Sequence, residues 1–171
     1  MKQTLSLALF TALALGACSP AEAPPTPAAP VEPPPAAAVQ PGLSWARSAT
    51  GEGVTLTLLD AAGAPLLRLG CIRNPATMTL RVEGFTPIAS EDRLTVGLDD
   101  QLFVFVADLS ATAGQGVVAE APIDTNFLDR LQSAGAIGAV YGAQQLGPHM
   151  PPPADMAGTF AAECRRAVAV S

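Results

Sequence analysis

Few side chains in this sequence could do acid–base or metal chemistry, and the single histidine is the first to consider. His149 lies in the segment 147–153, where three prolines follow Met150. A Ser-His-Asp triad would need this histidine, but no serine sits in a Gly-x-Ser-x-Gly motif. His149, Met150 and Met156 offer soft ligands for copper, but one imidazole and two thioethers are few. We predict that His149 is an exposed loop residue and that the chain has no catalytic residue.

Two pairs of acidic residues are the next candidates. Glu91-Asp92 and Asp99-Asp100 lie at either end of the predicted strand 93–98. Paired carboxylates serve glycosidases and calcium sites, but Asp and Glu are also common where strands turn. The chain lacks the nitrogen and sulfur ligands of a zinc site, and it has no glycine-rich phosphate loop or dinucleotide motif. We interpret both pairs as turn residues and predict no metal and no cofactor.

The amino-terminal segment predicts export. Lys2 is the only lysine in the chain, and an apolar run follows it over 5–15. A charged start, a short apolar stretch and small residues after it are typical of a secretory signal. The run is shorter than the ~20 residues that a membrane-spanning helix needs.

The segment ends in Leu15-Gly16-Ala17-Cys18, which resembles the lipobox of bacterial lipoproteins. The resemblance implies that Cys18 becomes the first mature residue and carries diacylglycerol, with palmitate among its acyl chains. Two or more acyl chains hold a protein durably on a membrane. Ser19 stands where an aspartate would retain such a protein in the inner membrane. We therefore expect an anchor in the outer membrane, with the protein facing the periplasm.

Composition divides the remaining chain. Residues 19–41 contain nine prolines and seven alanines, which predicts a semi-rigid linker without helix or strand. We divide the chain into a signal peptide (1–17), a lipidated cysteine with its linker (18–41) and one β-rich domain (42–171). After loss of the signal, eight arginines face fifteen acids, a net charge of −7. Nucleic-acid binding is therefore not expected.

Two cysteines remain when Cys18 is assigned to lipid. An even number in an oxidising compartment favours a disulfide between Cys71 and Cys164, with two buried free thiols as the alternative. A redox-active pair would be expected as Cys-x-x-Cys, which the chain lacks.

Alternating apolar and polar residues predict an antiparallel β-sandwich or small barrel of about 7–8 strands. One predicted strand, 102–106, is apolar at every position, so we expect both of its faces to be buried at the centre of the fold. Trp45 should point inward. The predicted strands are 43–47, 54–58, 66–71, 77–83, 93–98, 102–106, 117–119 and 136–141.

Two short helices complete the prediction of a mainly β, α+β fold. The first is expected near 125–133, with Asp124 as its N-cap and Gly135 just past its end. Residues 144–153 are predicted as a loop. A C-terminal helix is expected near 155–168, capped by Asp155, with an apolar stripe that packs on the sheet. The stripe is Met156, Phe160, Cys164 and Val168.

The order of these elements is similar to that of periplasmic domains of the invasion-associated locus B type. The resemblance rests on an early tryptophan, a cysteine pair, alternating strands and the Phe-Leu-x-x-Leu segment 127–131. It implies a β-rich module without an assigned reaction.

We therefore expect an envelope lipoprotein whose domain binds a protein or another envelope component and is not an enzyme. The alternative is an inhibitor of an envelope hydrolase such as lysozyme. Lipoproteins of that kind are also small β domains with a cysteine pair, but this chain lacks the Ser-Gly-x-x-Tyr loop expected of them. The sequence leaves the partner, the leaflet and the oligomeric state open.

Overall fold

The structure is a computed structural model, which describes residues 42–110, 114 and 116–169. The domain is mainly β with two short helices, as the sequence predicted. The elements are β1 (Ser44–Ala49), β2 (Gly53–Leu59), β3 (Pro65–Arg73), β4 (Ala76–Val82), β5 (Arg93–Leu98), β6 (Gln101–Ala107), β7 (Val117–Pro122), α1 (Thr125–Ser133), β8 (Ile137–Tyr141), β9 (Gln144–His149) and α2 (Ala154–Ala169).

The nine strands form one antiparallel sheet in the order β1-β2-β3-β4-β7-β6-β5-β8-β9. We call β1, β2, β3, β4 and β7 the first half-sheet, and β6, β5, β8 and β9 the second half-sheet. The halves meet where β7 pairs with β6, and that pairing covers only two residue pairs. Every other neighbouring pair of strands is joined over four or more pairs. The junction is therefore the weakest link within the sheet.

Both half-sheets bury one face, because apolar residues alternate with other residues along their strands. Leu56, Leu69 and Leu80 are fully buried in the first half, and Leu94 and Val96 are fully buried in the second. Helix α2 packs on β2, β3 and β4, and it also packs on α1. The alternation that predicted strands 54–58, 77–83 and 93–98 therefore gave the correct inner faces.

Helix α1 has the predicted bounds. The Asp124 side chain accepts a hydrogen bond from the Asn126 backbone N–H, and the helix ends at the C-cap Ala134. Phe127, Leu128 and Leu131 form its buried face.

Helix α2 begins one residue earlier than predicted. Asp155 therefore lies inside its first turn instead of capping it, and the carbonyl of Pro153 accepts the first helical hydrogen bond, from Ala157. Of the predicted stripe, Phe160 and Cys164 are buried, whereas Val168 is half exposed because it lies near the end of the helix. Small side chains complete the buried face: Ala157, Ala161 and Ala167.

The predicted loop over 144–153 is wrong in its first part, because residues 144–149 form β9. Tyr141 pairs with Gln144 across a two-residue turn that begins at Gly142, whose φ is +56°. A glycine adopts this left-handed conformation without strain. Pro148 is tolerated because β9 is an edge strand, where a missing N–H need not break a ladder.

The two edges of the sheet approach each other. The Trp45 indole Nε1 on β1 donates a hydrogen bond of 2.9 Å to the carbonyl of Met150, which directly follows β9. Trp45 also packs against the core, as predicted, although it is only partly buried. The sheet is curled toward closure without a β1–β9 ladder.

Candidate functional site

Strand β6 exposes one apolar face, which contradicts the prediction that both of its faces are buried. Leu102, Val104 and Val106 are 72%, 53% and 66% exposed. Their neighbours Phe103 and Phe105 face the core. The prediction was wrong because an apolar run shows which side chains avoid water, but it cannot show that a second layer covers them. We call Leu102, Val104 and Val106 the apolar row.

The inner face of β6 is held by aromatic packing on α1. The rings of Phe103 and Phe105 meet that of Phe127 edge to face, with centroids 5.0 and 5.9 Å apart. Phe127 is 1% exposed. The backbone of β6 is thereby fixed, and the apolar row is presented on a rigid element.

The neighbouring strands give the apolar row a mixed border. Val106 stands opposite Arg93 on β5 and Glu120 on β7. Val104 stands opposite Thr95, which in turn stands opposite Val140 on β8. Val140 is 40% exposed. An apolar centre beside charged and polar residues is the usual make-up of a protein-binding surface.

A cleft opens beside the apolar row, where β6 and β7 separate. Pairing between these strands stops after Val106–Glu120 and Ala107–Ala119. The cleft has a volume of about 530 Å³, and its walls are mostly apolar. We call it the β6–β7 cleft. It is lined by Met78, Leu102, Phe103, Val104, Phe105, Ala121, Pro122, Ile123, Asp124, Thr125 and Phe127.

The predicted acidic pairs hold turns together. Asp99 has a φ of +55°, and its carboxylate accepts hydrogen bonds from the backbone N–H groups of Gly135 and Ala136, both at 2.9 Å. Asp100 pairs with Arg130 at 3.1 Å. The Glu91 carboxylate accepts from the backbone N–H of Arg93 at 3.1 Å. Asp99 and Asp100 form the turn between β5 and β6, as interpreted from the sequence, and their side chains also tie this turn to α1 and to the segment that follows it.

The position of His149 differs from the prediction of an exposed loop. It ends β9 opposite Ile137 and is 8% exposed. Neither ring nitrogen has a hydrogen-bond partner among the described residues. Burial lowers the pKa of His149 from its ordinary value of 6.5. Within the described residues, no group of three His, Cys, Asp or Glu side chains is arranged to hold a metal ion.

The predicted disulfide between Cys71 and Cys164 is present. It joins β3 to α2, and both residues are buried. The bond therefore ties the C-terminal helix to the first half-sheet.

A second, larger cavity lies near the end of α2, and an ion-pair network forms part of its lining. Its volume is about 700 Å³, and its lining includes Arg73, Glu163 and Arg166. Glu163 contacts Arg73 at 3.1 Å and Arg166 at 2.9 Å. Because one carboxylate is shared by both guanidinium groups, this cavity offers less cationic character than its two arginines suggest.

The signal peptide, Cys18 and the linker all lie outside the described residues, so their assignments remain predictions. Within the part of the chain that is described, neither helix is long and apolar enough to cross a membrane.

Comparison with known proteins finds a likeness among solved structures alone. No protein-family model matches the chain, and no curated protein matches it in sequence. Among solved structures, the chain is similar to invasion associated protein B from Bartonella henselae, with 12% identity and a TM-score of 0.49. The match covers 78% of this chain and 97% of that one. At this identity and TM-score, the likeness carries no information about function.

Proposed function

We propose that this chain is an envelope lipoprotein whose β domain binds another envelope protein through the apolar row and performs no catalysis. The observation that carries the proposal is the exposure of Leu102, Val104 and Val106 on a strand in the interior of the sheet. Contiguous exposed apolar side chains on a soluble domain mark interaction surfaces more often than isolated ones do.

The apolar row would supply part of the driving force for binding, and the rest would come from other contacts with the partner. Complete burial of a Leu or Val side chain is worth ~1.5–3 kcal/mol. These three side chains are already partly covered, so a partner that covered the rest would gain a few kcal/mol before the cost of association. Arg93 and Glu120 beside Val106 would add orientation more than affinity.

Anchoring rests on the amino-terminal sequence. Lipidation at Cys18 would fix the chain to the membrane, and the outer membrane facing the periplasm is the location that Ser19 favours. The linker of 23 residues would reach up to roughly 70 Å if fully extended as polyproline helix. The domain would then be able to search a wide area of the periplasm for its partner.

The assignment as a non-enzyme is supported by what the candidate chemical groups contact. Asp99 and Glu91 accept hydrogen bonds from backbone N–H groups. The histidine is buried at the edge of the sheet. None of these groups lies in the lining of the β6–β7 cleft.

Site-specific photocrosslinking in intact cells tests the interaction surface. A photoreactive amino acid replaces Leu102 or Val106 in the full chain, and the matched control places it at Thr57, on the same side of the sheet in the first half-sheet. We expect a discrete adduct with one envelope protein from the first two positions and none from the control. Equal adducts from all three positions would contradict the proposal.

The anchor is tested separately by labelling cells with radioactive palmitate. The natural chain should become labelled, and the variant Cys18→Ala should not. Label that persists in this variant would overturn lipidation at Cys18.

A further inference from the structure

We infer that the β6–β7 cleft receives an extended segment of the partner, which adds to β6 as a strand. This inference rests on the proposed binding function and names the chemistry of what is bound. Strand addition is a recognised mode of peptide binding, in which main-chain hydrogen bonds supply affinity and side-chain pockets supply specificity.

The direction of the backbone groups on β6 is fixed by two hydrogen bonds at its end. The N–H of Ala107 donates to the carbonyl of Asp92, on the β5 side, at 2.8 Å. The N–H of the next residue, Asp108, donates to the carbonyl of Val118 on β7 at 2.8 Å. Because N–H and C=O groups alternate sides along a strand, those of Leu102, Val104 and Val106 point toward β7.

The ladder between β6 and β7 stops at a proline. In the observed register Val106 stands opposite Glu120, so the next hydrogen-bonded pair would place Val104 opposite Pro122. Proline has no N–H and cannot donate to the Val104 carbonyl. After Pro122 the chain leaves the sheet through Ile123 and Asp124 and enters α1. Pairing with β7 therefore ends before it reaches the main-chain groups of Leu102 and Val104.

The dimensions suit a short strand. On the side that faces β7, β6 is unpaired from Gln101 to Phe105. This stretch is about 17 Å long at the usual rise per residue. An added strand of about five residues would alternate its side chains between two environments. One set would enter the cleft beside Phe103 and Phe127, and the other would lie beside Leu102 and Val104 on the outer face. The occupant is thus a segment with apolar residues at alternate positions and no proline where it faces β6.

The first test measures whether the N–H groups on the β7 side of β6 are unpaired in the chain alone. Hydrogen exchange, resolved by residue with NMR on the full chain in detergent, should be faster at the N–H of Leu102 and Val104 than at Phe103 and Phe105. The latter pair point toward β5 and lie within the β5–β6 ladder. Equal protection at all four amides would mean that the edge of β6 is already paired, and the inference would be wrong.

Binding is tested with an array of blocked hexapeptides in which Thr alternates with Val, Leu, Ile or Phe. We expect at least one of them to bind the full chain and to slow exchange at Leu102 and Val104. The bound peptide is then remade with N-methyl groups on alternate residues, which remove the donors from one edge only. One of the two N-methylated isomers should lose about tenfold or more in affinity, because its donors face β6, and the other should not.

Two variants at one position separate backbone pairing from apolar contact. Val104→Pro removes the N–H that points into the cleft and also fixes φ at that position. Val104→Thr retains the N–H with nearly the same side-chain shape. We expect Val104→Pro to lower the affinity for the array peptide about tenfold and Val104→Thr to lower that affinity much less. Circular dichroism of each variant reports whether the sheet is intact, and the N-methyl isomers give the same answer if Val104→Pro does not fold.

The outcomes distinguish this inference from the proposed function. If no array peptide binds, or if both isomers bind equally, strand addition is wrong, while adducts from Leu102 and Val106 in cells would still support a binding surface. If the full chain sediments as a dimer that Val104→Pro dissociates, the occupant is a second copy instead of a different partner. If peptides bind but cells yield no selective adduct, the cleft accepts strands and the proposed function fails.

Discussion

The two half-sheets bury similar inner faces but differ on their outer faces. On the first half-sheet the outer positions of β2 and β4 carry half-buried threonines: Thr55, Thr57, Thr77 and Thr79. Beside them Arg68 and Arg81 stand opposite each other, and both contact Glu83 at 3.1 Å. On the second half-sheet the equivalent face of β6 carries the apolar row.

This difference shows that the fold does not require the apolar row. Threonine has a high strand propensity, and the first half-sheet forms with threonine at outward positions. Inward residues such as Leu80 and Leu94 account for the core of both halves. The exposed side chains of β6 are therefore expected to contribute little to folding, as the proposed binding surface requires.

The largest expected effect comes from removing the disulfide, which ties α2 to the first half-sheet and has no counterpart in the second. The bond closes a loop of 93 residues, and chain entropy assigns such a closure about 4–5 kcal/mol. Cys71→Ala with Cys164→Ala should lower the free energy of unfolding by about that amount in urea titrations. Reduction of the natural protein with dithiothreitol is the control, and a loss below about 1 kcal/mol would contradict the role of the bond.

The second effect concerns the aromatic support under β6. Phe127→Ala should cost about 3–4 kcal/mol, because it empties a buried site between Phe103 and Phe105. Phe127→Leu retains most of the volume and should cost much less. Hydrogen exchange should show the larger loss of protection in β6 and not in β2. A uniform loss across the sheet would mean that the half-sheets do not respond separately.

The third effect tests the outer faces directly. Leu102→Thr with Val106→Thr converts the outer face of β6 to the type seen on β2. The free energy of unfolding should change by only about 0.5 kcal/mol, as for surface substitutions generally. Phe105→Thr, one position away on the inner face, should cost several times more. If the outer pair proved as costly as Phe105→Thr, the apolar row would be part of the core.

The smallest effect is a pH dependence of stability that arises from His149, on the second half-sheet. Burial lowers the pKa of His149 in the folded chain, so the unfolded chain takes up its proton at a higher pH. The contribution of neutral His149 to the free energy of unfolding is therefore fully present above pH 6.5. It is lost as the pH falls from there through the pKa of the folded chain. The melting temperature of His149→Gln should vary less over this interval than that of the natural protein. Because the sequence contains no other histidine, an unchanged dependence would show that burial of His149 is not its source.

The sequence predicted the elements whose patterns are local. Helix α1 followed from Asp124 and the spacing of Phe127, Leu128 and Leu131. The inner faces of β2, β4 and β5 followed from alternation. The cysteine pair followed from the even number of cysteines that remain and from the oxidising compartment. All of these predictions depend on residues close together in the chain or on chemistry alone.

The candidate site could not be predicted because it depends on what is absent from one side of β6. An apolar run such as 102–106 looks the same whether or not a layer covers it. The cleft arises from the register that sets Val104 against Pro122, and that register joins residues distant in sequence. Strand β9 was missed because Gly147 and Pro148 usually interrupt strands, whereas an edge strand accommodates them.

The hydrogen bond between Trp45 and Met150 gives the molecule an intrinsic optical reporter. Trp45 is the only tryptophan in the chain, and its indole joins the first strand to the residue after the last one. Its emission is therefore expected to change when the two ends of the sheet part. Comparison of that signal with circular dichroism during unfolding would reveal whether the ends separate before the sheet is lost.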